Sequence, residues 1–488
     1  MNYISTRGKS PSVSASQAII NGMAPDGGLY VPEKWPNVDL DWQILAQQSY
    51  QQIATRIFGA FFDDFSNQEI QEVVQAAYGQ QWDNQDIVPI HSEKHLHYLE
   101  LFHGPTLAFK DIALQALPHL LTMAAKKQQL KNKLVILAAT SGDTGTAAMS
   151  GFGDVDQTEI IVFYPEVGVS DIQRQQMVSE QAKNAHVIAI TGNFDDAQQA
   201  VKAALGNQEL MTLLSGNQLQ FSSANSINIG RLIPQIVYYI YAYAQLVKQQ
   251  QLHAGDEIKI VVPTGNFGNV LAAFYAQQIG LPVAQFVVAS NENNVLTDFF
   301  NTGVYNKNRQ FKVTHSPAMD ILVSSNLERL LYFASGRNAQ EIQNYMSDLT
   351  QKGYYKLTAT TREQLSQFLA YDATDTEVDK TISQVFKASR YVLDPHTAVG
   401  YHAFEQLDGQ MQTLLAATAS PYKFPQTVMQ ALDEEVALGE AGLTQLSAIT
   451  HTKIPNQVSD LFKKPILHDK IIDSSEILQT LGVTLKLK

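Results

Sequence analysis

The stretch KLVILAATSGDTGTAAMSGF, residues 133–152, decides the fold class of this chain. Its first seven residues form a continuous apolar run typical of a buried strand, and the polar loop TSGDTG then leads into a helix-like segment. A second unit of the same order, EIKIVVPTGNFGNVLAAFYAQQIG, occupies residues 257–280. Repeated strand, loop and helix units predict an α/β protein with mainly parallel sheets covered by helices. Ligands of such proteins bind where the strands end and the loops begin.

The loops of both units are suited to binding anions. Each loop directs unpaired backbone N–H groups, at the positive end of a helix, toward one point. In TGNFGN, Gly265 and Gly268 allow close backbone approach, and Asn266 and Asn269 add amide donors. This loop has neither the GxGxxG nor the GxxxxGK[ST] spacing, so a phosphate monoester fits it better than a nucleotide. In the other loop, hydroxyl groups stand beside the helix start.

A single lysine is the candidate reactive group. Lys110 lies in LELFHGPTLAFKDIALQAL, residues 99–117, where a turn at Gly104 and Pro105 leads into an apolar, helix-compatible run. Apolar neighbours favour the neutral, nucleophilic amine over the ammonium ion, which is what a Schiff-base lysine needs. The alternative is an ordinary solvated lysine at a helix start.

Two anion sites and one activated lysine together indicate a particular cofactor. Pyridoxal phosphate supplies a phosphate for one loop and an aldehyde for Lys110, and an amino-acid substrate supplies a carboxylate for the other loop. Because these roles support one another, they favour a reactive Lys110 over an ordinary solvated lysine.

Composition narrows the class of protein. The chain has 488 residues, of which 45% are hydrophobic and 17% charged, as in folded globular proteins. A net charge of −13 and the lack of a basic cluster argue against a nucleic-acid surface. No signal peptide and no apolar run of membrane-spanning length are recognisable. The chain contains no cysteine, which fits a reducing cytoplasm and excludes thiol chemistry.

The histidine-rich segment HSEKHLH, residues 91–97, has part of the spacing of a metal site. His91 and His95 are four residues apart, and His97 follows closely. The segment lacks helical periodicity and offers no convincing further ligand, so we expect no metal there.

The motifs resemble those of one family, the threonine synthases, which are pyridoxal-phosphate enzymes of fold type II, in their longer bacterial and fungal form. The resemblance runs from residue 3 to residue 424. YISTRG and DGGLYVP are similar to the N-terminal signature of that family, and FHGPTLAFKD is similar to its lysine motif. TSGDTG is similar to the substrate loop of the family, and SANSINIGR is similar to its central asparagine-serine motif. GNFGN is similar to its phosphate cup, and DPHTAVG is similar to its late active-site loop.

The resemblance implies a role for each matching residue. Lys110 would form the Schiff base, Thr418 would face the pyridine nitrogen, and the phosphate cup would consist of Gly265, Asn266, Phe267, Gly268 and Asn269. Around the substrate we expect Ser141, Asp143, Thr144, His103, Asn225, Ser226, Asn228, Arg231, His396 and Lys423. Arg231 and Lys423, with Arg7 third, are the candidates for binding a phosphate group. Ser420 and Tyr422 depart from the family motif TAHPAKF.

The resemblance also implies an activity and an organisation. The expected reaction is the conversion of O-phospho-L-homoserine and water to L-threonine and phosphate, the last step of threonine biosynthesis, in a cytoplasmic monomer or homodimer. The expected domains are an N-terminal domain (1–95), a cofactor-binding region of two α/β lobes (96–425) and a C-terminal helical arm (426–488).

Three other functions stay open at this point. The chain could be another fold-type-II enzyme, such as a serine/threonine dehydratase or a β-replacement synthase. It could be a catalytically silent ligand-binding paralogue, although such a protein need not keep Lys110 and both loops. A nucleotide-binding protein is disfavoured by the missing fingerprints.

Overall fold

A computed structural model describes residues 1–487 and has mixed α/β architecture. The strands are β1 (Tyr3–Ser5), β2 (Tyr30–Pro32), β3 (Ile90–Glu93), β4 (Leu96–Glu100), β5 (Lys133–Ala139), β6 (Thr158–Pro165), β7 (Ala185–Thr191), β8 (Leu219–Ser222), β9 (Ile258–Pro263), β10 (Val283–Ser290), β11 (Val304–Asn306), β12 (Tyr354–Lys356), β13 (Phe368–Asp372), β14 (Thr413–Ala417) and β15 (Ile471–Asp473).

Helices separate most of these strands along the chain. They are α1 (Ala15–Asn21), α2 (Trp42–Leu45), α3 (Tyr50–Phe61), α4 (Asn67–Ala77), α5 (Lys110–Leu114), α6 (Leu117–Lys127), α7 (Asp143–Phe152), α8 (Asp171–Val178), α9 (Phe194–Leu205), α10 (Gln208–Gly216), α11 (Ile229–Leu232), α12 (Pro234–Lys248), α13 (Gly268–Gln278), α14 (Val295–Thr302), α15 (Leu327–Ala334), α16 (Ala339–Gln351), α17 (Ala359–Glu363), α18 (Asp375–Ser389), α19 (Pro395–Glu405), α20 (Pro425–Ala431), α21 (Gly439–Thr450), α22 (Asn456–Ser459) and α23 (Ile477–Thr484).

Two mainly parallel sheets form the centre of the structure. One has six strands in the order β13-β10-β9-β14-β4-β3, all parallel to their neighbours except β3, which runs antiparallel to β4. The other has five parallel strands in the order β15-β7-β6-β5-β8. The predicted α/β class with parallel sheets is confirmed.

The two strand–loop–helix units lie at the positions that the sequence indicated. The β5 strand has the predicted bounds, and its central residues are buried because helices cover both faces of a parallel sheet. The α7 helix begins at Asp143, three residues before the predicted start. Gly142, with φ 131°, gives the backbone the conformation needed to enter this helix early.

The run YVLDPHTAVGYHAFEQL, residues 391–407, begins with a strand-like apolar segment, and its pattern predicts a strand that leads into a polar loop. This prediction is wrong, because residues 391–393 have no regular structure and the α19 helix follows at once. Asp394 caps this helix by accepting hydrogen bonds from the N–H groups of His396 and Thr397, and Pro395 occupies its first position. A capping carboxylate followed by proline favours a helix start over a continuing strand.

The two ends of the chain pack onto the sheets in different ways. The N-terminal helices bury an apolar face in the same core as α12, and the small β1–β2 sheet lies at the start of this region. The C-terminal segment contributes strand β15, which pairs with β7, as well as helices. No helix within residues 1–487 is long and apolar enough to cross a membrane.

The helix that begins at Lys110 packs closely against α7. A Cβ atom added at Gly151 of α7 would overlap the carbonyl oxygen of Leu114, the last residue of α5. Only glycine fits at this point, and its absence of a side chain brings the first residues of the two helices, Lys110 and Asp143, within reach of each other.

We expect Gly151→Ala to lower the melting temperature of the protein, because overlap in a packed interior destabilises by about 1–3 kcal/mol. Gly59→Ala is the matched control, since no heavy atom lies within 4 Å of its added Cβ. Alanine in an open helix position should leave the melting temperature equal or raise it slightly. Equal melting temperatures for the two variants, measured by differential scanning calorimetry, would contradict the close packing of α5 and α7.

Candidate active site

A cavity of about 250 Å³ opens at the carboxyl ends of strands β5, β9 and β14, between the two sheets. This is where the sequence placed the ligand, because loops at this edge connect parallel strands to their helices. The predicted residues that line the cavity are Lys110, Ser141, Asp143, Thr144, Asn225, Ser226, Arg231, Gly265, Asn266, Phe267, Gly268, Asn269, His396 and Thr418.

The loop before Lys110 is fixed by hydrogen bonds to the segment that follows β14. The N–H of Phe109 donates to the carbonyl of Thr418 at 2.8 Å, and the N–H of Ser420 donates to the carbonyl of Leu107 at 3.0 Å. Leu107 has a left-handed backbone, with φ 61°, that turns the chain into α5. Lys110 and Thr418 are thereby held on the same wall of the cavity.

The amine of Lys110 pairs with a buried carboxylate. Its Nζ donates to Oδ2 of Asp143 at 3.1 Å, and the residue is 9% exposed. Burial lowers the pKa of Lys110, Asp143 opposes this effect, and the positive charges of Arg231 and Lys423 add to the lowering. Lowering the pKa increases the fraction of neutral, nucleophilic amine at a given pH.

Asp143 is shared by several donors. Its Oδ1 accepts from Nε2 of Gln173 at 2.9 Å and lies 3.0 Å from Nζ of Lys423. Burial alone would raise the pKa of Asp143, but Lys110 and Lys423 outweigh burial and hold the pKa well below its usual range. The carboxylate is therefore ionised at neutral pH.

The GNFGN loop has the geometry of an anion site. Phe267 adopts a left-handed backbone with φ 63°, and its buried ring packs 6.0 Å from the ring of Phe300. This packing stabilises a conformation that side chains rarely adopt. The α13 helix starts at the next residue, so its first-turn N–H groups have no intrahelical acceptors. Gly265 lies so close to the opposite wall that a Cβ there would be 2.8 Å from the carbonyl oxygen of Ala318.

Asn269 has a fixed orientation and an unused donor. The hydroxyl groups of Tyr238 and Tyr239 both donate to its Oδ1, the former at 2.7 Å. Its Nδ2 is buried and has no hydrogen-bond partner in the described part of the chain. A buried amide donor without a partner, beside a helix N-terminus, is consistent with a loop that binds phosphate.

Arg231 brings a cation to the cavity. Its Nη1 donates to the carbonyl of Ala224 at 2.8 Å, and the residue is 5% exposed. Burial lowers the pKa of Arg231 to about 10, so the guanidinium remains charged at neutral pH. Ser226 lies on the same wall, and its carbonyl accepts a hydrogen bond from Nδ2 of Asn326.

Both ring nitrogens of His396 are engaged by protein groups. Its Nε2 accepts a hydrogen bond from the N–H of Ala318 at 3.2 Å, so Nδ1 carries the proton and donates to Asp394 at 2.7 Å. The ring fixes the segment around Ala318, which forms one wall of the cavity.

Three predicted pocket residues lie elsewhere. His103 pairs with Asp83 and Glu100 at 2.7 and 2.9 Å, away from the cavity. Asn228 caps α11, and its amide donates to the carbonyl of Ile19. Lys423 is fully buried behind Asp143 and does not line the cavity. Polar side chains engaged by neighbouring protein groups have fewer contacts to offer a ligand.

The departures from the family motif have a structural explanation. The Ser420 hydroxyl accepts from the N–H of Tyr422 at 3.3 Å, and the buried Tyr422 hydroxyl donates to the carbonyl of Thr452 at 2.9 Å. Tyr422 thus attaches the segment after β14 to the C-terminal helices. Neither residue lines the cavity.

Some cavity residues carried no signal in the sequence. One face of α9, including Gln198 and Lys202, lines the cavity, as does the segment from Pro317 to Ile321. The first reads as an ordinary amphipathic helix and the second contains no motif. Gln173, which holds Asp143, follows a helix-capping pattern rather than a catalytic one.

A lysine beside an anion-binding helix start, at the carboxyl ends of parallel strands, characterises a class of cofactor enzymes. Residues 92–416 match a family model described as pyridoxal-phosphate dependent enzyme. The match confirms the expected cofactor class, pyridoxal phosphate, and the donor set of the cavity fits that group.

Two further family models cover the ends of the chain. Residues 2–78 match the threonine synthase N terminus, and residues 397–478 match the threonine synthase C-terminal region. The chain belongs to the threonine synthase family of pyridoxal-phosphate dependent enzymes.

Individual relatives agree with this assignment. The chain is 36% identical to a threonine synthase of Pseudomonas aeruginosa over 95% of this chain and 94% of the relative. It is 37% identical to a human protein named threonine synthase-like 1 over 88% of this chain, but it spans only 60% of that protein's length. A crystal structure of a PLP-bound threonine synthase from Brucella melitensis superposes with a TM-score of 0.89 and 34% identity, covering 100% of this chain and 99% of the other. The predicted fold type II is confirmed.

His103, which lies outside the cavity, should make the free energy of unfolding depend on pH. Burial alone would lower the pKa of His103, but hydrogen bonds to Asp83 and Glu100 outweigh it and raise the pKa from 6.5 to about 9. Because the pKa of His103 is higher in the folded protein than in the unfolded one, its protonated form stabilises the fold. This stabilisation is complete below pH 6.5 and is lost as the pH rises to about 9. Its size is on the order of 1–3 kcal/mol.

We therefore expect His103→Gln to lower the melting temperature at about pH 6 and to have a much smaller effect at about pH 9.5. His253→Gln, at an exposed histidine, is the matched control and should show no such pH-dependent difference. A pH-independent effect of His103→Gln would show that its two carboxylate contacts do not stabilise the cation.

Proposed function

We propose that this protein is a threonine synthase, which converts O-phospho-L-homoserine and water to L-threonine and phosphate. The observation that carries the proposal is the convergence of Lys110, the GNFGN loop and the TSGDTG loop on one cavity. Family membership and the relatives named threonine synthase support it.

Pyridoxal phosphate, when bound through an imine, supplies an electron-accepting π-system next to the substrate amino group. In the proposal, Lys110 holds the cofactor covalently, and the N–H groups of the 265–269 loop hold its phosphate. The Thr418 hydroxyl, which lies on the same wall as Lys110, is proposed to face the pyridine nitrogen. Supporting observations are the Nδ2 of Asn269, which is buried without a hydrogen-bond partner among residues 1–487, and the start of α13 at Gly268, where first-turn N–H groups point away from the helix.

The substrate end is proposed to lie against the other loop. Ser141 and Thr144 offer hydroxyl donors at the start of α7, and Asn225 and Ser226 line the same cavity. A carboxylate at this helix start would be stabilised by the helix dipole. Asp143, in contrast, is engaged by Lys110 and other protein donors.

Lys110 is proposed to move the protons. Its lowered pKa favours a neutral amine that takes the proton from Cα of the substrate and then one from Cβ. The Cγ–O bond breaks with its electron pair leaving on phosphate, and a proton is added at Cγ. The oxygen of water then forms the bond to Cβ, a proton returns to Cα, and the proton released by water balances the one that the leaving phosphate takes up. The sum is one phosphate released and one threonine formed for each substrate.

The leaving phosphate needs a cation, and Arg231 is the proposed one. A buried guanidinium that lines the cavity can form paired hydrogen bonds with phosphate oxygens. Arg7, the third candidate from the sequence, binds Glu328 through two hydrogen bonds instead.

The same proposal covers the cellular location, the oligomeric state and the domain bounds of the protein. We propose a cytoplasmic monomer or homodimer acting on a small phosphorylated amino acid, with domains at 1–95, 96–425 and 426–488. The human relative named threonine synthase-like 1 is longer than this chain, so its name supports the family and not a particular activity.

The proposed reaction predicts equal amounts of inorganic phosphate and threonine when the purified, cofactor-loaded protein is given O-phospho-L-homoserine. We expect Lys110→Ala to lower this rate by at least about 10³-fold, because cofactor attachment and proton transfer both depend on the amine. Lys127→Ala, far from the cavity, is the control. Ammonia released from serine or threonine instead would indicate a dehydratase, and a loaded protein without turnover would indicate a silent paralogue.

The proposed role of Arg231 predicts a selective effect on the phosphorylated substrate. Arg231→Ala should raise the KM for O-phospho-L-homoserine about 10–100-fold, and should change the inhibition constant of an unphosphorylated analogue much less. Arg56→Ala, at an arginine on α3, should change neither constant. Equal effects of Arg231→Ala on both ligands would remove this residue from the phosphate site.

A further inference from the structure

Lys423 is a buried cation with no direct access to the cavity. It is 0% exposed, and its Nζ lies 3.0 Å from Oδ1 of Asp143. It also donates to the carbonyl of Thr106 at 2.7 Å and to the hydroxyl of Thr146 at 3.4 Å. These contacts occupy the three donors of the ammonium group together, so a substrate phosphate would have to displace protein groups to reach it.

The carboxylate of Asp143 divides its two oxygens between two kinds of partner. Oδ1 receives Lys423 and Gln173, whereas Oδ2 receives Lys110 alone among the described residues. One oxygen thus faces the lysine that lines the cavity, and the other is bound by two groups that do not line it.

The two lysines differ in their proposed roles. The nitrogen of Lys110 must be without its ammonium proton before it can act as a nucleophile or a base. A buried carboxylate that then lacked a cation would be strongly destabilised. The Nζ of Lys423 lies 3.0 Å from Oδ1 of Asp143, so the carboxylate has a second amine partner when Lys110 becomes neutral.

We propose that Lys423 is the permanent counter-ion of Asp143 and that, through this carboxylate, it sets how readily the nitrogen of Lys110 holds a proton. Lys423 is then a positioning residue and not a ligand of the substrate phosphate. The inference rests on the proposed attachment of the cofactor to Lys110.

Other charged or titratable groups near this pair do not replace Lys423. Arg231 faces Lys110 from α11 and His396 faces Asp143 from α19, but the former donates to Ala224 and the latter to Asp394. Asp111 faces Lys423 from α5, where burial raises its pKa to about 6 despite that cation. Its side chain accepts from Thr106 rather than from either lysine.

The test measures the proton on the lysine–cofactor nitrogen in the absence of substrate. Wild-type protein and variants are loaded with pyridoxal phosphate, and the absorbance of the lysine-bound cofactor is titrated between about pH 5 and pH 10. Lys423→Gln should raise the midpoint by about 1–3 pH units, because Asp143 then attracts the protonated nitrogen without competition. Lys423→Arg, which keeps the charge, should stay within about 0.5 unit of wild type, and so should the remote control Lys133→Gln.

A second variant tests whether the effect passes through the carboxylate. Asp143→Asn should lower the midpoint by about 1–3 pH units. When Lys423→Gln is added to the Asp143→Asn protein, it should shift the midpoint by less than half of the shift that it causes in the wild-type protein. Should Lys423→Gln fail to fold, an unchanged midpoint in Asp143→Asn would still overturn the inference.

The outcomes separate the inference from the proposed function. A wild-type protein that shows no lysine-bound cofactor contradicts both. A normal wild-type titration with an unshifted Lys423→Gln midpoint overturns the inference alone. An unshifted midpoint combined with a raised KM for O-phospho-L-homoserine would instead assign Lys423 to the substrate phosphate.

Discussion

The site depends on one constraint, the need of a buried carboxylate for cations. Asp143 is 4% exposed and stands at the start of α7. An isolated charge there would be costly, so the fold surrounds it with Lys110, Lys423 and Gln173. The same pairing keeps the amine of Lys110 at the edge of the cavity, where the residue is largely buried. The position of the Lys110 amine is thus a consequence of how the carboxylate is neutralised.

Two features of the backbone make this pairing possible. The glycine at position 151 lets α7 and α5 approach until Lys110 and Asp143 are within hydrogen-bond distance. The hydrogen bonds between residues 107–109 and 418–420 attach the lysine loop to the six-stranded sheet, whereas Asp143 follows a strand of the five-stranded sheet. The cavity therefore lies where the two sheets are joined by a charge pair, and both sheets must be folded for the site to exist.

Sequence reasoning predicted the parts of this arrangement that are local. The bounds of β5 follow from a continuous apolar run, and the anion loops follow from glycine and polar residues at a strand end. Contacts between distant segments were not predictable. Lys423 and Thr106 are 317 residues apart, and nothing in the sequence around either residue indicates that they touch. For the same reason, His103 was expected in the pocket because of its motif, although its partners are carboxylates outside it.

The most direct test of this account is to identify the lysine that carries the cofactor. The protein is loaded with pyridoxal phosphate, reduced with borohydride, digested, and the modified peptide is sequenced by mass spectrometry. The account predicts one modified residue, Lys110, because its amine is buried with a lowered pKa beside the anion-binding loops. Modification of another lysine, or of none, would contradict the assignment of this cavity as the active site.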